Sequence, residues 1–212
     1  TVFVVLTALL APHAARGQGF GLPGQALVTA RMSHSLSVFH PGAVGHVAFT
    51  ALIADGWHIN SNKPLESYLI PSVLEISAPE GIEIVQILYP EPALAKLEIS
   101  ETKMSLYGGV VTFGAVVRIG KSVPAGAYRL TATLHYQGCN NLTCVEPSSA
   151  SADDTLRVGT LEETVEQLDE SLFSKPPFVA GDGSALGVEA SPPDGGDFGA
   201  MIAERGLALT FL

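Results

Sequence analysis

The chain has 212 residues, of which 47% are hydrophobic, and a net charge of −10. That length holds one domain with appendages or two small domains, and the apolar share suits a globular core. The acidic balance excludes nucleic acid as a partner. Residues 1–159 hold 11 acids and 9 bases, whereas residues 160–212 hold 10 acids and 2 bases. The excess therefore sits in the tail, as expected of a solvated segment.

In chain order, Val2 to Ala11 is an apolar run followed by Pro12 and the small residues Ala14 and Ala15. It reads as the remnant of a secretory signal peptide over residues 1–18, with a buried first strand as the alternative. From Ala26 the pattern is β. Apolar or alternating runs recur at Leu27–Met32, Leu36–Phe39, Val47–Ile53, Val73–Ile76, Ile82–Leu88, Val110–Ile119, Tyr128–Tyr136 and Thr155–Val158. Gly and Pro punctuate them, as in Pro41-Gly42, Asp55-Gly56, Pro90-Glu91-Pro92 and Gly108-Gly109. Seven or eight strands without helical crossovers predict an all-β antiparallel sandwich over residues 26–159.

The clearest alternation puts Tyr128, Leu130, Ala132, Leu134 and Tyr136 on one face, and Arg129, Thr131, Thr133 and His135 on the other. After it, Thr160-Leu161-Glu162-Glu163 fits a capping box, and Leu161, Val165, Leu168 and Leu172 follow at helical spacing. A helix is expected over 160–173. Residues 174–197, with Pro176, Pro177, Pro192 and Pro193, read as a flexible linker. Residues 198–212 end in the apolar run Gly206 to Leu212, expected to open a truncated membrane domain, with a plain C-terminal helix as the alternative.

The two cysteines stand in Tyr136-Gln137-Gly138-Cys139-Asn140-Asn141-Leu142-Thr143-Cys144-Val145-Glu146-Pro147. The strand Tyr128–Tyr136 delivers the chain straight into them, which mounts the loop on a rigid element. A disulfide closing so short a loop contributes only about 2 kcal/mol in the chain-entropy model. A chain of this length does not need that help to hold a core. A bond made and broken is therefore the leading reading, with a structural staple and a metal site as alternatives. Thiol exchange needs a second cysteine to resolve the mixed disulfide, and the x₄ spacing supplies one. No Lys or Arg lies between Arg129 and Arg157, so nothing local in sequence lowers a thiol pKa. His135 and His58, joined to the cysteines, or His34, His40 and His46 at six-residue spacing, would carry the Cys/His metal alternative. Asn141-Leu142-Thr143 is a glycosylation sequon by pattern, though a sugar there would block the loop. Two further segments invite attention. Trp57-His58-Ile59-Asn60 ends a strand, and Met104-Ser105-Leu106-Tyr107-Gly108-Gly109 sets large apolar groups before a flexible glycine pair, as in a hinged lid.

These segments, in this order, resemble the N-terminal periplasmic domain of the DsbD family of thiol:disulfide interchange proteins. The resemblance rests on Tyr136-Gln137-Gly138-Cys139, Cys144 and Pro147, with Gly56-Trp57-His58-Ile59-Asn60 and Ser105-Leu106-Tyr107-Gly108. It covers roughly residues 26–173. It implies an immunoglobulin-like sandwich with a C-terminal helix and linker, in the periplasmic part of an inner-membrane protein. It also implies a protein-disulfide reductase relay, an oxidoreductase without a soluble cofactor or metal. The membrane domain would pass electrons, through a thioredoxin-like domain, to the cysteine pair. The pair would then reduce periplasmic thioredoxin-like partners, among them a disulfide isomerase and a thioredoxin of cytochrome c biogenesis. By the same resemblance Cys144 attacks and Cys139 resolves. Ser105, Leu106, Tyr107 and Gly108 form a cap loop with Leu106 over the sulfurs, and His58 and Asn60 line the site. In the family an aromatic commonly stands where this chain has Leu106, and acidic residues stand where it has Met104 and Ser105. The remaining alternative is a non-catalytic exported binding module with a structural disulfide.

Overall fold

A computed structural model describes residues 26–179. The expected signal-peptide remnant at 1–18, the linker beyond 179 and the membrane-domain start at 198–212 lie outside the described residues. Within the described residues eleven strands run in chain order: β1 (Val28–His34), β2 (Val44–Ile53), β3 (His58–Asn60), β4 (Val73–Ser77), β5 (Ile82–Leu88), β6 (Ala93–Ala95), β7 (Met104–Gly108), β8 (Val110–Ile119), β9 (Gly126–Tyr136), β10 (Gly138–Cys139) and β11 (Ser148–Val158). Among the described residues one short helix, α1, spans Glu170–Phe173. Among the described residues no helix is long and apolar enough to cross a membrane.

All strand pairings are antiparallel, in three sheets ordered β1-β2-β8-β5, β11-β9-β4 and β10-β3-β7-β6. The first two face each other as an immunoglobulin-like β-sandwich. Their inner faces supply Phe49, Phe113, Val117 and Ile119 from one side and Leu74, Leu130, Ala132, Leu134 and Leu156 from the other. The period-2 pattern of β9 places Leu130, Ala132, Leu134 and Tyr136 inward, as its sequence requires. Phe113 anchors the middle of the core, edge-on to Tyr89 and Tyr107 at centroid distances of 5.9 and 5.3 Å.

The third sheet is hydrogen-bonded separately and packs on this frame through Ile59 and Tyr107. β3 follows the end of β2, β6 and β7 precede the start of β8, and β10 follows the end of β9. Because Leu52 pairs with Val110, the end of β2 and the start of β8 lie at the same end of the sandwich. The small sheet is thus assembled from connections that converge at one pole.

Two expectations on the C-terminal side are corrected. The helix over 160–173 forms only at Glu170–Phe173. The Thr160 N–H does reach Glu163 Oε1 at 2.9 Å, as a capping box requires, but the Glu163 carboxylate is also held by Arg157. The chain then pairs in extended form with residues 35–37. Ser37 N–H donates to Glu166 O at 2.9 Å, and Leu168 N–H to Ser35 O at 2.8 Å. These long-range bonds replace the intrahelical ones, and a short helix pays a nucleation cost that a weak apolar stripe does not recover. Leu161 and Val165, two residues of that stripe, stay exposed.

The second correction concerns the start of the linker. Pro177 and Phe178 are buried. Phe178 lies on the outer face of the first sheet against Ala48, Leu88 and Val116, with Phe173 beside it at 4.8 Å. A β-carbon at Gly114 would run into the Phe178 ring. The glycine in β8 is therefore the seat of the aromatic, and residues 169–178 form a strap across the sheet. Gly114→Val is expected to destabilise the fold by about 1–3 kcal/mol through overpacking, measured by urea unfolding.

Candidate functional site

The site begins where β9 runs into β10. Gly138 pairs with Ile59 and Cys139 with His58. A β-carbon at Gly138 would come within 2.7 Å of Leu27, so the glycine lets this turn pack against the start of the domain. Cys139 and Cys144 are joined by a disulfide, with Cα atoms 4.0 Å apart, and face each other as an antiparallel bridge. The intervening turn closes on itself. Asn140 N–H donates to Thr143 O at 2.9 Å, and Asn140 Oδ1 accepts from Leu142 N–H and Thr143 N–H at 2.8 and 2.9 Å.

Strand register decides which neighbours face the sulfurs, because residues directly opposite across a ladder project to the same side. Asn60 is opposite Leu106, His58 is opposite both Gly108 and Cys139, and Ala95 is opposite Met104. Cys139, His58, Asn60, Leu106 and Met104 therefore share one face. Ile59, Tyr107 and Ser105 share the other. The sulfur face is apolar at its centre, where Leu97, Met104, Leu106 and Cys139 form a buried cluster joined by Leu69 and Cys144. His58 Nδ1 and Asn60 Oδ1 are buried on this face without a hydrogen-bond partner. A buried polar atom left unpaired costs about 1–3 kcal/mol, and such atoms concentrate where function retains them.

The expected cap loop differs in form and in membership. Residues 104–108 are the strand β7, paired with β3 on one side and β6 on the other, so Leu106 is held in a sheet rather than on a hinge. Leu106 is 1% exposed and does pack with Cys139. Tyr107 belongs to the sandwich core. Its hydroxyl donates to Asn62 Oδ1 at 2.7 Å and its ring meets Phe113. Ser105 Oγ accepts from Ser61 Oγ at 2.8 Å on the same inner side. Gly108 is on the sulfur face but beneath the His58 ring, whose Cδ2 would lie 2.9 Å from a β-carbon there. Sequence reasoning missed Leu69 and Leu97 as site residues, and took Met104 only as the start of the lid run, not as a lining residue. Met104 was detectable, since it precedes Leu106 by two positions and so shares its face in any strand.

Burial pushes the Tyr107 phenol up to about 12, against the lowering effect of the Asn62 backbone. The folded protein then keeps a proton that the unfolded chain releases above pH 10. Its contribution to stability is full below pH 10 and is lost as pH rises towards 12. Unfolding midpoints measured from pH 9 to 12 are expected to fall across that window, and Tyr107→Phe is expected to flatten the decline.

The two sulfurs differ in access. Cys139 is fully buried, whereas Cys144 is half-buried. Cys144 lines a groove with Tyr68, Leu69, Ile99 and Met104, and two carboxylates, Glu66 and Glu101, line it too.

The histidines weighed for a metal site are dispersed. His34 Nδ1 meets Asp154 Oδ2 at 2.6 Å, His40 Nε2 meets Glu163 O at 3.0 Å, and His46 lies edge-on to Phe178. His135 faces Glu75. Among the described residues no three His, Cys, Asp or Glu side chains converge to hold a metal ion.

Residues 25–156 match the family described as thiol:disulfide interchange protein DsbD, N-terminal. The chain belongs to the DsbD N-terminal family. Its cysteine pair thereby marks it as a thiol-disulfide exchange module, an oxidoreductase by class. Solved structures similar to this DsbD-type domain include the N-terminal periplasmic domain of ScsB from Proteus mirabilis, at 15% identity and a TM-score of 0.37. That alignment covers 69% of this chain and 49% of the ScsB chain, so the match spans about half of the ScsB domain. The DsbD N-terminal domain of Neisseria meningitidis in the reduced form is 15% identical at a TM-score of 0.25, over 64% of this chain and 89% of that one. A type I cohesin from Pseudobacteroides cellulosolvens is 13% identical at 0.40, over 65% and 97%. No curated protein sequence matches the chain.

Proposed function

We propose that the domain is the periplasmic electron-delivery module of a membrane-anchored protein-disulfide reductase, working through Cys139 and Cys144. The observation that carries this reading is the unequal access of the two sulfurs, one sealed and one opening to a groove. In the dithiol state the Cys144 thiolate attacks a disulfide sulfur of the partner. A mixed disulfide forms and the first partner thiol leaves. Cys139 then loses its proton, attacks the Cys144 sulfur and expels the second partner thiol. One disulfide forms on this domain as one breaks on the partner, and two electrons and two protons pass across. The cysteines carry both electrons, so the step needs no cofactor or metal. The reverse exchange, with a thioredoxin-like domain fed by a membrane domain, restores the dithiol.

The partners proposed are thioredoxin-like periplasmic proteins, including a disulfide isomerase and a thioredoxin of cytochrome c maturation. Tyr68 and Ile99, exposed at the groove, offer the apolar contact that docking requires. No Lys or Arg lies between Arg129 and Arg157 to favour a thiolate, so exchange would depend on docking with the partner rather than on random collision. His58, Asn60 and Leu106 are proposed to line the pair, while Ser105, Tyr107 and Gly108 support the strand that presents them.

Equilibration with glutathione tests this directly. A labile bond is expected above about −300 mV, where exported structural disulfides do not usually lie. A much lower potential, with no exchange onto a thioredoxin-like protein, overturns the proposal in favour of a structural staple. Leu106→Ala opens a gap over Cys139 and is expected to speed oxidation of the dithiol by small disulfides several-fold, read by stopped-flow. An unchanged rate would show that Leu106 does not shield the pair.

A further inference from the structure

The cysteine turn is held shut by bonds that do not involve sulfur. Asn140 supplies most of them: its Oδ1 accepts the N–H groups of Leu142 and Thr143, and its own N–H donates to Thr143 O. Below it, Val145 N–H donates to Gly138 O at 2.9 Å, and Gln137 Nε2 donates to Val145 O at 3.3 Å. Breaking the S–S bond removes none of these. A short polar side chain that caps its own backbone two and three residues on is a local device, and it works whichever redox state the cysteines are in.

We infer that Asn140 is the positioning residue of the pair, keeping the Cys139 and Cys144 thiols adjacent after reduction and so setting how readily the disulfide re-forms. This rests on the exchange reading above. In the oxidised state the S–S bond closes the turn by itself, so the Asn140 side chain adds little there. In the dithiol its two bonds are what closes the tip of the turn, beside the backbone bonds below it. Losing it frees the reduced turn alone and lowers the effective concentration of one thiol towards the other. The bond then becomes easier to reduce and slower to re-form. Resolution of a mixed disulfide at Cys144 slows for the same reason, because Cys139 must find it from a looser turn.

The test uses the full 212-residue chain equilibrated with glutathione, for which dithiol plus oxidised glutathione gives protein disulfide plus two reduced glutathiones. Asn140→Ala is expected to shift that equilibrium about tenfold towards the dithiol, which is about 30 mV for a two-electron couple. The lifetime of the Cys144–glutathione adduct is expected to lengthen by a similar factor. Asn140→Asp keeps the acceptor oxygen and is expected to restore both within about threefold. Leu142→Ala, in the same turn but 83% exposed, is expected to leave both unchanged. An Asn140→Ala protein with wild-type equilibrium and adduct lifetime overturns the inference while leaving the exchange reading intact. A wild-type disulfide that never opens in glutathione overturns both.

Discussion

Replacing Cys144 with Ser is expected to abolish reduction of thioredoxin-like partners while leaving the domain folded. The six-residue loop closed by the bond is worth only about 2 kcal/mol in the chain-entropy model. For a domain of this size each kcal/mol moves the melting temperature by about 2–4 °C, so the loss stays below about 10 °C. The turn also keeps its own hydrogen bonds, and Cys144 is only half-buried, so a hydroxyl there remains hydrated. Cys139→Ser should behave differently. Its side chain is fully buried among Leu97, Met104 and Leu106, where a hydroxyl without a partner costs a further 1–3 kcal/mol or so. Partner-reduction assays and thermal melts on both variants check the contrast. Equal melting losses would refute the claim that the two sulfurs sit in unlike surroundings, and collapse of Cys144→Ser would make the bond a staple.

Phe178→Ala is expected to cost about 3–5 kcal/mol, the largest effect of any single truncation considered. The ring is fully buried on the outer face of the β1-β2-β8-β5 sheet, and Gly114 leaves no side chain to fill the space it would vacate. Equilibrium unfolding in urea measures the loss, and a chain ended before residue 169 should lose at least as much. A change below about 1 kcal/mol would mean that the strap contributes nothing to the domain, contrary to its burial.

The long strands were legible because their patterns are local. Ile82–Leu88 and Val110–Ile119 match their expected limits, and the alternation of β9 fixes its inner face. The short strands were not. β3, β6 and β10 have three, three and two residues, too few to show a period, and they exist because partners from distant segments pair with them. The unseen pairing of β7 had a cost at the site. Read as a loop, it grouped Leu106 with Tyr107; as a strand, it must send them to opposite sides, one to the sulfurs and one to Phe113. Residues 160–168 failed in the other direction. A sound local signal at Thr160 and Glu163 lost to backbone pairing with Ser35 and Ser37. Phe178 was hidden by its prolines, which describe the backbone and say nothing of where an aromatic side chain lands. At the site the cysteine motif was plain in the sequence, but Glu66, Leu69, Leu97 and Glu101 come from segments about 40 to 80 positions away and carry no motif of their own.

The pole-mounted small sheet has a consequence for how such a protein changes. Sulfur surroundings are specified by connections, and the folding frame is specified by the strands they connect. Substitutions on the groove side of those connections can retune reactivity or partner choice with little effect on folding, whereas Ile59 and Tyr107 on their other side belong to the core. The frame strands can be reinforced without altering the chemistry. Selection can therefore act on the two properties almost independently within one compact unit.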